Sequence, residues 1–175
     1  MFAIIALTVV VLIAAVLIYA ATKPDTFRVQ RSISINAPPE RIFAHINDLT
    51  KWGAWSPWEK MDPAMKKTLS DAPQGKGAVC EWNGNNAIGQ GRMEILESLP
   101  ASKILIKLVF LKPFEAHNFA EFIFERNGNS TNVTWAMFGP APYITKVISL
   151  FMNCDKMVGP QFETGLANMK AVTET

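Results

Sequence analysis

Charge is missing from the first 22 residues: no Asp, Glu, Lys, Arg or His falls between Met1 and Thr22. Cysteine and histidine are scarce throughout, with two of each in 175 residues. Cys80 and Cys154 stand alone, without CxxC or Cys/His spacing, so neither a zinc site nor a disulfide framework is indicated, and two buried thiols are expected. No phosphate-cradling glycine loop, nucleophile elbow or metal-ligand cluster is visible, and neither metal nor cofactor is expected. Basic and acidic side chains nearly balance, 17 against 15, for a net charge of +2. That excludes the dense basic stripe of a nucleic-acid binder. Internal repeats and low-complexity segments are also lacking.

What the N-terminus has instead is apolar bulk. MFAIIALTVVVLIAAVLIYAAT is dominated by Ala, Val, Leu and Ile. At about 1.5 Å rise per residue, twenty helical residues reach roughly 30 Å, the hydrocarbon thickness of a bilayer. A cleaved secretory signal would need a basic start, an apolar run of about 7–15 residues and a small-x-small cleavage site. Here no Lys or Arg precedes the run, the run is longer, and Ile18-Tyr19-Ala20 is a poor cleavage triplet. The reading is therefore a retained single span over residues 1–22, a linker over 23–26 and one domain over 27–175. Lys23, Arg28 and Arg31 all follow the span, which by the positive-inside rule places that domain in the cytoplasm. About 150 residues suffice for one domain with a real core.

The chain after the span reads as β-rich, with helices at two places. Phe27–Asn36 alternates Val29, Ile33 and Ile35 against Gln30, Ser32 and Ser34, with Arg31 breaking the pattern. Ala37-Pro38-Pro39-Glu40 starts a helix expected to end near Asp48–Lys51. Three tryptophans then fall within Trp52–Trp58, where Gly53 and Pro57 exclude a regular helix. From Ala78 onward come successive antiparallel strands: Ala78–Trp82, Ile88–Glu97, Lys103–Leu111, His117–Arg126 and Ser130–Phe138. Asn83-Gly84-Asn85-Asn86 reads as an Asn-Gly hairpin, and Phe119, Phe122, Ile123 and Phe124 predict burial on both faces of their strand. Tyr143–Thr173 carries an apolar stripe at helical spacing. Gly159-Pro160 predicts a kink in it, and with it a hinge about which the first half of the helix and the Pro140–Tyr143 loop could move to admit a ligand.

Strand, helix, run of antiparallel strands, long C-terminal helix is a restrictive order. The blocks RSISINAPPERIFAHINDLTKWGAWSPWEKMDP, GQGRMEILES, KLVFLKPFEAHNFAEFIFE, NSTNVTWAMFG and VGPQFETGLANMK occur in that order over residues 27–172. With the apolar N-terminus, they resemble the membrane-anchored branch of the polyketide cyclase/dehydrase group, part of the START-like (SRPBCC) superfamily. The resemblance implies an α+β helix-grip fold, a curved antiparallel sheet wrapped around the C-terminal helix with a cavity between them. It also implies an apolar ligand, as superfamily members hold lipids, sterols, polyketides or plant metabolites there, and only some are enzymes.

Side chains expected to line such a cavity are Trp55, Trp58, Trp82, Met93, Trp135, Met137, Phe151 and Met152. Tryptophan supplies flat apolar area, and methionine is flexible and polarisable enough to accommodate varied apolar shapes. The weaker catalytic candidates are His117, Glu121, Tyr143 and Arg92, because cyclase-type relatives resemble general acid–base catalysts working through pocket Tyr, Arg or His groups. His117 and Glu121 are four residues apart in one strand, about 13 Å, too far for a direct dyad. The favoured expectation is membrane-tethered binding of a hydrophobic small molecule or lipid. A cyclase/dehydrase-type enzyme is the first alternative and a non-catalytic protein-interaction module the second.

Overall fold

The computed structural model describes residues 1–175. Helix α1, Phe2–Ala21, contains only apolar residues besides Thr8 and Tyr19, and of these only Ala20 is buried by protein. It is long and apolar enough to cross a membrane. The chain then enters β1 (Thr26–Ile35), α2 (Pro39–Ile46), a 3₁₀ helix over Leu49–Ala54, and the short α3 (Pro57–Met61). Six strands follow: β2 (Lys66–Leu69), β3 (Val79–Asn83), β4 (Gln90–Leu99), β5 (Lys103–Lys112), β6 (Ala116–Asn127) and β7 (Ser130–Pro140). Helices α4 (Tyr143–Ser149) and α5 (Cys154–Thr173) complete it.

The seven strands form one antiparallel sheet in the order β1-β7-β6-β5-β4-β3-β2. Each consecutive pair from β2 to β7 can close through a local connection, and β1 returns beside β7. Helix α5 lies on the inner face, against β1 and β7, with α2 and α3 beside it. Together these elements make the helix grip. The core between them holds Ile35, Ile42, Ile46, Trp55, Ile104, Ile106, Phe122, Val133, Phe162, Leu166 and Met169.

Arg31, the break in the alternation of β1, turns out to be the polar tie between sheet and helix. It sits on the inward-facing register of Val29 and Ile35, where its Nη1 donates to Asp155 Oδ1 at 2.8 Å and its Nε to Glu163 Oε1 at 2.6 Å. Gly159 of α5 leaves the space for it, since a Cβ there would collide with the guanidinium. The guanidinium holds the Asp155 carboxyl below the usual carboxylate range. A carboxylate whose folded value is depressed contributes stability that is present above its unfolded value, near 4, and is lost as pH falls through the folded one. Thermal midpoints measured from neutral to acid pH should therefore show an acid-side decline that Arg31→Met flattens; parallel curves for the two proteins would refute the assignment.

Four local expectations are corrected. The discontinuity in the C-terminal tail lies at Leu150–Asn153, not at Gly159-Pro160. Asn153 caps α5 by accepting from the Lys156 amide at 3.2 Å, and the helix runs through Pro160. With Gly at 159 the proline ring has no preceding Cβ to crowd, so the helix is unbroken at this position. Strand β2 was not anticipated, because KKTL has no apolar alternation; it is the edge strand beside β3, where lysines are tolerated on both faces. The β3–β4 connection is longer than an Asn-Gly hairpin and spans Gly84–Gly89. The Asn85 side chain accepts from the Ala87 and Ile88 amides there, and Asp62 accepts from the Asn85 amide. In β6, Phe122 and Phe124 are buried, whereas Phe119 and Ile123 are only half-buried on the outer face. Phe119 stacks there on Phe138 at 5.7 Å.

Candidate functional site

The end of the α5–sheet interface nearest the α4–α5 connection is not filled. A cavity of about 390 Å³ opens there, and 18 of its 23 lining residues are hydrophobic. The physical origin is a choice of side chains along the strands. Ala120 of β6 faces inward at a central position, so the sheet between Ile106 and Met137 presents little bulk to the helix. Met93, Leu108, Phe110 and Met137 form the sheet wall, Cys80 and Trp82 the far wall, and Met157, Val158 and Phe162 the helix side. Ile88 and Phe114, on the β3–β4 and β5–β6 connections, stand at the rim, with Phe114 80% exposed.

Trp135 closes the inner end. Its ring is stacked between Phe162, 4.2 Å away between centroids, and Phe122 at 4.9 Å, with Trp55 and Trp58 edge-on at 5.4 Å each. Gly165 is what lets α5 come this close: a Cβ there would lie 2.7 Å from the benzo edge of the indole. The neighbouring indoles find acceptors, Trp52 Nε1 donating to the Ile46 carbonyl at 2.9 Å and Trp55 Nε1 to that of His45 at 3.3 Å. Trp135 Nε1, buried, has none. An unpaired buried donor is costly in an apolar site. The unpaired His45 Nδ1 is the other such atom, and His45 does not line the cavity.

Polar groups in the lining are few. Glu59 of α3 accepts from Lys67 Nζ at 2.6 Å, and both side chains are mostly buried. Ser56 and Lys112 complete the set. The Cys80 thiol faces this space with its pKa pushed up to about 11 by burial, which keeps it protonated and a poor nucleophile at neutral pH.

Of the residues expected to line a cavity, the structure brings together Trp58, Trp82, Met93, Trp135 and Met137. Trp55 lies one layer deeper, 1% exposed, packed on Trp52, Phe122 and Trp135. Phe151 and Met152 point into solvent from the α4–α5 connection because the helix breaks there rather than continuing over the sheet. None of the acid–base candidates lines the cavity. His117 is exposed beside Glu115, 3.0 Å away, and Glu121 pairs with Arg28 at 3.2 Å on the outer sheet face. Arg92 pairs with Glu94 at 2.8 Å on that same outer face, and Tyr143 Oη donates to the Leu17 carbonyl of α1 at 2.8 Å. Outward register explains the first three, since side chains alternate across a strand. Sequence reasoning missed Ala120, Phe162 and the Glu59–Lys67 pair. The ion pair joins α3 to an edge strand that had no apolar signature.

A family profile described as polyketide cyclase/dehydrase and lipid transport matches residues 26–174. No curated protein matches the chain. Among solved structures, the di-domain ARO/CYC StfQ from the steffimycin biosynthetic pathway superposes with a TM-score of 0.66 at 12% identity, over 85% of this chain and 51% of StfQ. A structural-genomics protein from Chromobacterium violaceum gives 0.60 at 14% identity, over 87% and 99% of the two chains. The protein Ara h 8.0201 gives 0.54 at 10% identity, over 85% and 98%. At these identities the likeness is one of fold.

Proposed function

The chain belongs to the polyketide cyclase/dehydrase and lipid transport family, and from that premise we propose that it is a membrane-tethered binder of a hydrophobic small molecule or lipid. The observation that carries this reading is the 390 Å³ apolar cavity between α5 and the sheet, a volume within the range of small-molecule sites. Its lining fits an apolar body, and the Glu59–Lys67 pair offers a polar contact at the wall. Helix α1 serves as the tether, and Lys23, Arg28 and Arg31 after it support a cytoplasmic placement of the domain by the positive-inside rule.

The test fills the space. Ala120→Phe places a ring in the cavity from the sheet wall, and it should lower affinity for N-phenyl-1-naphthylamine by at least about tenfold, equivalent to roughly 1.4 kcal/mol. The thermal midpoint serves as the folding control. Unchanged probe binding in a folded variant would refute the cavity as the site. Native mass spectrometry and lipid extraction of the full chain in detergent would identify what it carries.

A cyclase-type reaction is the second reading, favoured by the resemblance of fold to the ARO/CYC protein StfQ. On that reading Glu59 and Lys67 are the acid–base groups within reach of a bound substrate, and Glu59→Gln would abolish turnover while leaving binding in place.

A further inference from the structure

The register of the sheet gathers several features at one end of the strands. Thr26, the first residue of β1, is opposite Pro140 at the end of β7; Val109 is opposite His117 near the start of β6; Gln90 of β4 is opposite Lys112 at the end of β5. The anchor helix therefore joins the domain at the same end as the connections that rim the cavity. Helix α4 is held there as well. Tyr143 Oη donates to the Leu17 carbonyl of α1, and the buried Lys146 ammonium is ion-paired with Asp25 of the linker. Leu17 is four residues before the end of α1, about 6 Å along its axis, which sets the first turn of α4 at the depth where hydrocarbon gives way to headgroups.

At this end the domain exposes large apolar side chains. Phe114 is on the β5–β6 connection, Ile144 and Ile148 on α4, Phe151 (77% exposed) and Met152 between α4 and α5, and Met157 on the first turn of α5. Single exposed apolar residues are ordinary, but a cluster of this kind marks an interaction surface. Lys112 lies two residues before Phe114 and Lys156 one before Met157, so cations for a surface of anionic headgroups adjoin the apolar patch.

We propose that this end of the domain is a docking face for the bilayer that α1 spans, and that it turns the mouth of the cavity onto the lipid, so that ligand passes between membrane and cavity without crossing bulk water. The proposal rests on the tether reading above. The bilayer is the occupant because α1, packed on α4, holds the patch beside the span. Phe114 and Met157 belong both to the patch and to the cavity rim, so a docked face places the opening against the headgroups.

The full chain in phosphatidylcholine–phosphatidylglycerol vesicles, doped with an acyl-chain diazirine phosphatidylcholine, tests this. After irradiation, carbene adducts mapped by mass spectrometry should fall on α1 and on peptides carrying Phe114 and Phe151–Met157, and not on the outer sheet face at Lys107. The double variant Ile144→Ser/Ile148→Ser, which alters neither the cavity nor the core, should cut the patch adducts by about tenfold. N-phenyl-1-naphthylamine binding in detergent should stay unchanged, while its transfer from vesicles slows. Adducts confined to α1 would overturn the docking face and leave the tether standing. Chain that fails to float with vesicles would overturn both. Protein–protein cross-links at the patch in place of lipid adducts would assign the face to a second copy or another protein, and overturn the proposal. Probe binding reports on the cavity independently of all three results.

Discussion

Replacing Trp135 with alanine should cost about 3–5 kcal/mol of stability, the range for removing a buried aromatic side chain. Its ring is 2% exposed and sandwiched between Phe122 and Phe162. Part of that cost is already absent, because one edge of the indole borders a cavity, so the lower half of the range is the expected outcome. For a domain of this size it corresponds to a fall of about 10 °C in the thermal midpoint. Trp135→Phe separates packing from chemistry. It keeps the stacked ring and should cost less than about 1.5 kcal/mol, while removing the unpaired Nε1 donor. That donor is sealed from the cavity, so affinity should hold for ligands with and without an acceptor; a loss confined to acceptor-bearing ligands would show that the indole turns to meet them.

Gly91→Val should cost about 1–3 kcal/mol. A Cβ at Gly91 would lie 2.5 Å from the Val109 carbonyl oxygen and 2.7 Å from Cη2 of Trp82. The carbonyl is backbone of the adjoining strand β5 and cannot rotate away, so the strain falls on the ring. Trp82 is edge-on to Phe110 at 5.8 Å, and both line the cavity. Displacing it should reduce probe binding as well as the thermal midpoint, read by calorimetry and fluorescence titration on the same preparation. A variant with wild-type values in both would mean that Trp82 swings freely, and that the far wall is not rigid.

The order of elements was legible because it depends on local patterns. Alternation marked β1, β5 and β7, apolar residues on both faces marked β6, Pro38-Pro39 marked the start of α2, and the three- and four-residue apolar steps marked the C-terminal helices. Five cavity residues were legible for a related reason: Trp58, Trp82, Met93, Trp135 and Met137 are large, adaptable side chains on elements that the fold wraps around the cavity. The misses share a cause too. Whether Arg92, His117 and Glu121 face inward or outward depends on register, and a one-residue change of register reverses the face. Phe151 and Met152 fall within the expected helix, and the break over Leu150–Asn153 sends them outward. Helix caps decide such breaks by single hydrogen bonds, here the one Asn153 accepts from Lys156, while the more conspicuous Pro160 was accommodated behind a glycine.

By itself the sequence determined that an uncharged 22-residue segment precedes one α+β domain, because hydropathy and periodicity are properties of the chain read in order. It also determined that the domain carries no concentrated charge, and that Arg31 is out of place in its strand. Only the tertiary structure decided what Arg31 meets, since Asp155 and Glu163 lie more than a hundred residues away and come within reach only when α5 packs on β1. It alone decided that the interior is left partly empty, for a cavity is a difference between the volume enclosed by backbone and the volume of the side chains that fill it. And it alone brought the cavity mouth, α4 and the end of α1 to one end of the sheet, because antiparallel register, summed over seven strands, is a long-range property that no local pattern encodes.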